Sequence, residues 1–256
     1  MTNIGLNIVV PMAGRGSRFV NAGYKLPKPL IPVHGVPMIK VVIDNIRPSI
    51  DHRFIFLCLR EHIEVNSIDR ILKKISPNCL ILPVDGVTQG AACTVLLAKD
   101  FIDNGDQMMI ANSDQWVDFD INDYLAAMPV DSDGLIMTMS ASDPKWSYVR
   151  MDDRGNVIEV VEKNVVSNEA TVGIYNFRRG RDFVRAARRM IAKNARVNGE
   201  FYVAPVYNEL IEEGRKVAIC NIGGDSKGMY GLGIPCDLEL FHKLDVSRKA
   251  AAFCEN

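Results

Sequence analysis

Short apolar runs alternate with longer amphipathic stretches through the first half of the chain. Residues 6–10 form a β-branched run that predicts a buried strand, and a glycine-rich segment follows it. Residues 37–46 place Ile39, Val42, Ile43 and Ile46 on one face at helical spacing. The same reasoning gives strands at 53–59, 78–84 and 108–111 and helices at 62–75 and 88–101, with Thr88 as the N-cap of the last. The strand at 108–111 ends at Asn112-Ser113-Asp114. Strands alternating with helices predict an α/β fold, a mixed but mostly parallel sheet with helices on both faces.

The second half changes character. It predicts a strand at 134–140, a hairpin over 148–162 turning at 152–156, and strands at 170–177 and 216–222. Helices are expected at 179–192, 201–213 and 236–253. No linker-like composition and no internal repeat divides the halves, so residues 1–256 read as a single domain.

Composition narrows the function. The chain has 256 residues, 48% hydrophobic and 24% charged, which suits an ordinary globular core. Thirty Lys plus Arg nearly cancel 31 Asp plus Glu, leaving a net charge of −1. No global field therefore recruits nucleic acid or an anionic membrane, and an anionic ligand must be met by local cations. No apolar run approaches the roughly 20 residues of a spanning helix. The start of the chain lacks a basic segment before its apolar run, so no signal peptide is expected. Six cysteines without a Cys-x-x-Cys pair read as reduced, buried thiols of a cytoplasmic protein. The four histidines (34, 52, 62, 242) make no zinc pattern.

Candidate chemistry concentrates in residues 9–37. A buried strand runs into Ala13-Gly14-Arg15-Gly16-Ser17-Arg18, and Lys25 and Lys28 follow. Glycines let a backbone turn tightly and aim N–H groups at an anion, and three nearby cations suit a triphosphate. A glycine pair alone equally describes a flexible strand-to-helix turn. The segment is not a dinucleotide fingerprint, since Phe19 stands at the third glycine, and it lacks the Gly-Lys-Ser/Thr of a Walker loop.

Ala13-Gly14-Arg15-Gly16-Ser17-Arg18-Phe19 followed by Pro27-Lys28-Pro29-Leu30-Ile31-Pro32-Val33 resembles the two-part signature of the sugar-1-phosphate nucleotidyltransferases, the nucleotide-sugar pyrophosphorylases. The resemblance implies a Rossmann-like fold of the nucleotide-diphospho-sugar transferase type. It implies that Ala13, Gly14 and Gly16 bind NTP phosphates and that Arg18 and Lys28 stabilise charge at the reacting phosphorus. Gln89-Gly90 resembles the family's nucleobase segment, and Asp114 its Mg²⁺-binding aspartate, also counted with the nucleotide site. Glu162-Lys163 resembles the Glu-Lys-Pro motif that holds the acceptor, with Asn164 in place of the proline. Gly173 lies in a strand resembling the acceptor-site strand, and Glu200 in a segment whose acidic residue touches the acceptor. On this resemblance, residues up to about 115 serve the nucleotide and those from about 116 the acceptor.

Two positions depart from the family pattern. Gly231 stands where many relatives carry a second metal-binding aspartate, so Asp225 or Asp237 is left to supply it. Trp146-Ser147 replaces a Tyr-Gly pair of many sugar-specific relatives, so Ser147 is expected at a reshaped acceptor pocket. The implied reaction joins an NTP to a sugar 1-phosphate or similar small phosphate, releases pyrophosphate, uses Mg²⁺ and feeds surface polysaccharide biosynthesis. A homo-oligomer is compatible with this reading. A cytidylyltransferase acting on a non-sugar phosphate is the alternative within the class. Outside it stand a glycosyltransferase with its metal on Asp118-Phe119-Asp120, and a non-catalytic nucleotide-binding protein.

Overall fold

Strand β1 (Leu6–Met12) is buried along nearly its whole length, and its alternating side chains explain the layers around it. In the computed structural model, which describes residues 5–254, Ile8 and Val10 face one apolar layer and Val9 the other. The reading of the chain's first residues as free of a leader falls partly on residues 1–4, outside those described. After β1 come α1 (Ser17–Asn21), a single 3₁₀ turn (Lys28–Leu30), and the small ribbon of β2 (Pro32–Val33) and β3 (Val36–Pro37). Then follow α2 (Met38–Asn45), β4 (His52–Leu59), α3 (Arg60–Asn66), α4 (Ile68–Ile75) and β5 (Leu80–Val84). Next are α5 (Ala91–Leu96), α6 (Lys99–Ile102), β6 (Gln107–Ala111), β7 (Gln115–Val117) and α7 (Ile121–Ala126).

The second half adds β8 (Gly134–Ser140), the hairpin β9 (Ser147–Met151) and β10 (Val157–Glu162), β11 (Glu169–Phe177) and α8 (Gly180–Ala192). It closes with α9 (Val206–Glu212), β12 (Val217–Asp225), β13 (Gly228–Gly231), α10 (Pro235–His242) and α11 (Asp245–Phe253). One sheet runs through the molecule in the order β5-β4-β1-β6-β11-β8-β12-β13-β7, with β9 and β10 attached beside β11. Strand β11 runs antiparallel to both β6 and β8. The strands β5, β4, β1, β6, β8, β12 and β13 therefore point the same way, a mostly parallel sheet.

Helices cover both faces. On one, Ile39, Val42 and Ile43 of α2 and Leu72 of α4 pack with Phe54 and Phe56 of β4. On the other, Phe183 and Ala187 of α8 and Tyr207 and Leu210 of α9 pack with Ile55, Leu57 and Ile110. Each leucine, isoleucine, valine or phenylalanine among these contributes about 1.5–3 kcal/mol by leaving water. No helix among the described residues is long and apolar enough to cross a membrane.

The departures from the sequence reading are local. The helix expected over 62–75 breaks at Ser67, held at φ 51, a left-handed conformation that ends one helix and starts another. The helix expected from Thr88 begins at Ala91, because Gly90 has φ 129, a conformation that glycine adopts and that does not continue a helix. The Thr88 hydroxyl donates to the Gly90 carbonyl at 2.8 Å and caps nothing. The helix expected from 201 begins at Val206, since the Phe201 peptide is committed to a crossing segment: its N–H donates to the Gln89 carbonyl at 2.8 Å. The last helix is interrupted where Leu244 is extended. The cysteines divide: Cys58 and Cys79 are buried, the Cys58 thiol pushed up to about 12 chiefly by burial, but Cys236 is exposed.

Candidate active site

Open parallel sheets present their loops at the strand C-termini, and ligands gather there. Neighbouring strands β1 and β6 end side by side, so the 13–16 loop and Asn112-Ser113-Asp114 are delivered to one place. Gly16 adopts φ 61, and a Cβ on it would lie 3.1 Å from the Lys28 Cβ. The absence of a side chain at Gly16 thus lets the glycine loop pack on the Pro27-Lys28-Pro29 segment, a physical link between the two halves of the motif. Lys28 Nζ then donates to Asp114 Oδ2 at 2.7 Å, in a half-buried ion pair. The Asp114 carbonyl accepts from the Leu232 N–H at 2.8 Å, and a Cβ at Gly233 would stand 2.8 Å from Asp114 Oδ2.

Two cavities meet at Asp114, and Lys28 lines the smaller of them. The smaller, about 290 Å³, is bounded by Ala13, Gly14, Lys28, Thr88, Gly90 and Asp114, and Glu200 also lines it. The larger, about 400 Å³, is bounded by Arg18, Asp114, Ser147, Glu162, Lys163 and Gly173, with Asp237 on its wall. Asn112, Ala91 and Asp114 belong to both.

In the larger cavity, Ser147 Oγ donates to Glu162 Oε2. Burial pushes the Glu162 carboxyl up, against the opposing pull of Ser147 and Lys163. Lys163 Nζ donates to Tyr202 Oη at 2.6 Å and lies 4.7 Å from that ring, and this bond raises its pKa above the usual lysine value. Gly173 has φ 82, and a Cβ there would fall 2.2 Å from Asn112 Nδ2 and 2.7 Å from Gln115 Oε1. Thr171 Oγ1 and Tyr175 Oη share a hydrogen bond at 3.0 Å on the buried floor.

Several expected site residues fall elsewhere. Gln89 is absent from either lining: its Oε1 accepts from Arg196 Nη2 at 2.9 Å, and that guanidinium rests 4.5 Å from the Phe201 ring. Gly90 does line the smaller cavity, and glycine is required there, because a Cβ would come 2.4 Å from the Phe201 carbonyl oxygen. Gly16 supports the loop from behind and lines neither cavity. Glu200, expected on the acceptor side, lines the smaller cavity, since the 198–201 turn is tied to residues 89–92. Of the two candidate second carboxylates, Asp237 shares the larger cavity with Asp114 and is raised by burial. Asp225 instead faces a small side cavity and lies 3.5 Å from Lys145. Asp118 pairs with Lys249 at 2.6 Å and Asp120 caps α7 by accepting from the Asn122 N–H, so the Asp-Phe-Asp triplet is engaged in structure. Gln115 and Tyr202 line the larger cavity outside every motif named above. Adjacency to Asp114 was the available signal for Gln115, whereas Tyr202 carried none.

Among the described residues, no group of three His, Cys, Asp or Glu side chains is arranged to hold a metal ion. Magnesium does not require one, as it is usually held by one or two carboxylates together with substrate phosphates and water. Asp114 and Asp237 both line the larger cavity.

A family profile described as nucleotidyl transferase matches residues 8–219. The bifunctional protein GlmU of Methanocaldococcus jannaschii is 26% identical over 175 residues, covering 67% of this chain and 40% of that protein. The chain thus spans less than half the length of this curated relative. The crystal structure of a nucleoside-diphosphate-sugar pyrophosphorylase from Vibrio cholerae superposes with a TM-score of 0.78 at 26% identity, covering 93% of this chain and 100% of that one. The inositol-1-phosphate CTP transferase of T. maritima shares the fold, with a TM-score of 0.75, 14% identity, and coverage of 98% and 96%.

Proposed function

The chain belongs to the nucleotidyl transferase family, and from that premise we propose that it joins a nucleoside triphosphate to a small phosphorylated acceptor with release of pyrophosphate. The observation that carries this reading is the meeting of two cavities at Asp114, the ion-pair partner of Lys28. The smaller cavity, walled by the Ala13-Gly14 backbone and Gly90, takes the nucleotide. The larger, with Glu162 and Lys163, takes the acceptor. Asp114, with Asp237 as the second carboxylate, would hold Mg²⁺, which neutralises negative charge building on the departing pyrophosphate.

The chain's own groups do the positioning. Lys163 orients the incoming phosphate, one of whose oxygens attacks the α-phosphorus as pyrophosphate leaves on the opposite side. No side chain is covalently modified. Lys28 moves with the charge: paired with Asp114 before the nucleotide arrives, it faces the phosphates afterwards. Arg18, on the rim of the acceptor cavity, adds a second cation near the transferred group. The proposed division into a nucleotide half (about 1–115) and an acceptor half (about 116–256) of one domain is crossed in both directions: Arg18, Ala91, Asn112 and Asp114 line the acceptor cavity, and Glu200 lines the nucleotide cavity.

A pyrophosphate-release assay tests the reading. CTP, UTP, dTTP and ATP are each crossed with sugar 1-phosphates and non-sugar phosphate esters. Release must require both substrates, and Asp114→Asn must abolish most of it. NTP binding without pyrophosphate from any pair would contradict the reading.

A further inference from the structure

The turn of the β2–β3 ribbon is made of His34 at φ 47 and Gly35 at φ 89, a two-residue connection with both residues left-handed. Few side chains accept that conformation, so a histidine kept there calls for a reason in its ring. The ring reaches 213 positions along the chain: His34 Nε2 stands 2.7 Å from Ser247 Oγ on α11. Ser247 is fully buried and its hydroxyl donates to the Leu244 carbonyl at 2.7 Å, so it accepts from His34. The His34 ring also lies 4.9 Å from that of His242, the last residue of α10. His242 Nε2 is buried without a hydrogen bond. His34 is exposed, so protons reach the pair from solvent.

Charging His242 would place a proton on a buried nitrogen with no acceptor, beside a second imidazole. Burial and His34 both hold its pKa below the usual histidine value. Charged groups on the neighbouring elements give no relief. Lys40 and Asp44 of α2 pair with each other, and Lys249 of α11 pairs with Asp118. Glu239, Lys243, Asp245 and Arg248 are exposed, and Asp237 lines the larger cavity. Strand β13, also packed on α10, brings Tyr230 but no charge.

We propose that His34, His242 and Ser247 form a pH-sensitive clasp, which holds α10 and α11 on the ribbon when His242 is neutral and releases them when it takes a proton. His34 donates to Ser247 in either of its charge states, so the change falls on His242. A base with a depressed folded pKa contributes stability that is full above about 6.5 and is lost as pH falls towards the folded value. The ribbon follows the turn that carries Lys28, and α10 carries Asp237 in its first turn, so an open clasp loosens the anchorage of both cavity walls. The clasp is independent of what the cavities bind.

Hydrogen exchange on the chain alone tests this, with protection corrected for the intrinsic pH dependence. From pH 8 to pH 5.5, protection of residues 236–252 should fall about five- to tenfold more than that of β1 and β4, because pH 5.5 lies about one unit below the open-state value. His242→Phe keeps a ring without a charge and should remove this extra loss. His34→Asn, which suits the left-handed turn, should lower protection at pH 8 towards the wild-type level at pH 5.5. Imidazole NMR titration of the wild-type chain needs no variant: the His242 ring must titrate below about 6.5, with the same midpoint as the change in exchange. An equal loss of protection in all strands and helices, no loss, a loss retained in His242→Phe, or a His242 midpoint at or above the ordinary histidine value would overturn the proposal.

Discussion

The two cavities that share Asp114 are built from different materials. The nucleotide-side wall is largely backbone and small residues, Ala13, Gly14, Gly90, Ala91 and Ser113, while the acceptor-side wall is Trp146, Ser147, Glu162, Lys163, Tyr175 and Tyr202. Backbone walls hold what a class of ligands has in common, because peptide groups are the same whatever the sequence. Side-chain walls hold what distinguishes one ligand from another, because each substitution alters shape and hydrogen bonding. The proposed reaction centre thus sits at the border between a general surface and a selective one.

The largest expected effect falls on the border itself. Asp114→Asn should lower kcat on the order of 10²–10³-fold, and Lys28→Ala about 10²-fold with a smaller change in NTP affinity. Steady-state pyrophosphate release with an independent NTP titration checks both, and equal losses in kcat and NTP binding for Lys28→Ala would assign it to uniform binding instead.

Next come two glycines, one for each side. Gly173→Ala places a Cβ 2.2 Å from Asn112 Nδ2 at φ 82, and should raise the acceptor KM at least tenfold and cost about 1–3 kcal/mol of stability. Gly16→Ala meets Lys28 Cβ at 3.1 Å and should chiefly raise the NTP KM, several-fold. Kinetics with each substrate varied in turn separates them, and the same KM moving in both variants would dissolve the distinction between the walls.

The smallest effect is a pH dependence confined to the acceptor wall. Burial raises the Glu162 pKa above its unfolded value, so the native state holds this proton more tightly. Stability from that group is present at low pH and is lost as pH rises from the unfolded value, about 4.3, through the folded one. Glu162→Gln lacks this loss, so its Tm relative to the parent chain should climb by a few degrees as pH rises across that window. A constant Tm difference across that pH range would show that Glu162 does not titrate as described.

Parts of both walls were legible from sequence: Ala13, Gly14 and Gly90 line the smaller cavity, and Ser147, Glu162, Lys163 and Gly173 the larger. Glycines at 16 and 90 announce themselves because few residues satisfy a left-handed turn or a 2.4 Å approach to a carbonyl. The strand-helix alternation was also legible, since β1 and β4 are buried on both faces and read as continuous apolar runs. What escaped was long-range. Gln89 turned outward because Arg196, 107 positions away, holds its side-chain amide oxygen. Strands β7 and β13 are short, and their pairing at Gln115 and Gly231 depends on a chain crossing that no local pattern encodes. Helix breaks at Ser67 and Gly90 came from single backbone conformations against a continuing amphipathic pattern.

Pyrophosphate release, measured over the full cross of NTPs and phosphorylated acceptors with Mg²⁺, is the most direct test of the central claim. The account expects at least one pair to release pyrophosphate in proportion to nucleotide-linked product, with Asp114→Asn reduced by two orders of magnitude or more. Consumption of a nucleotide sugar as donor, or full release by Asp114→Asn at saturating substrates, would contradict it.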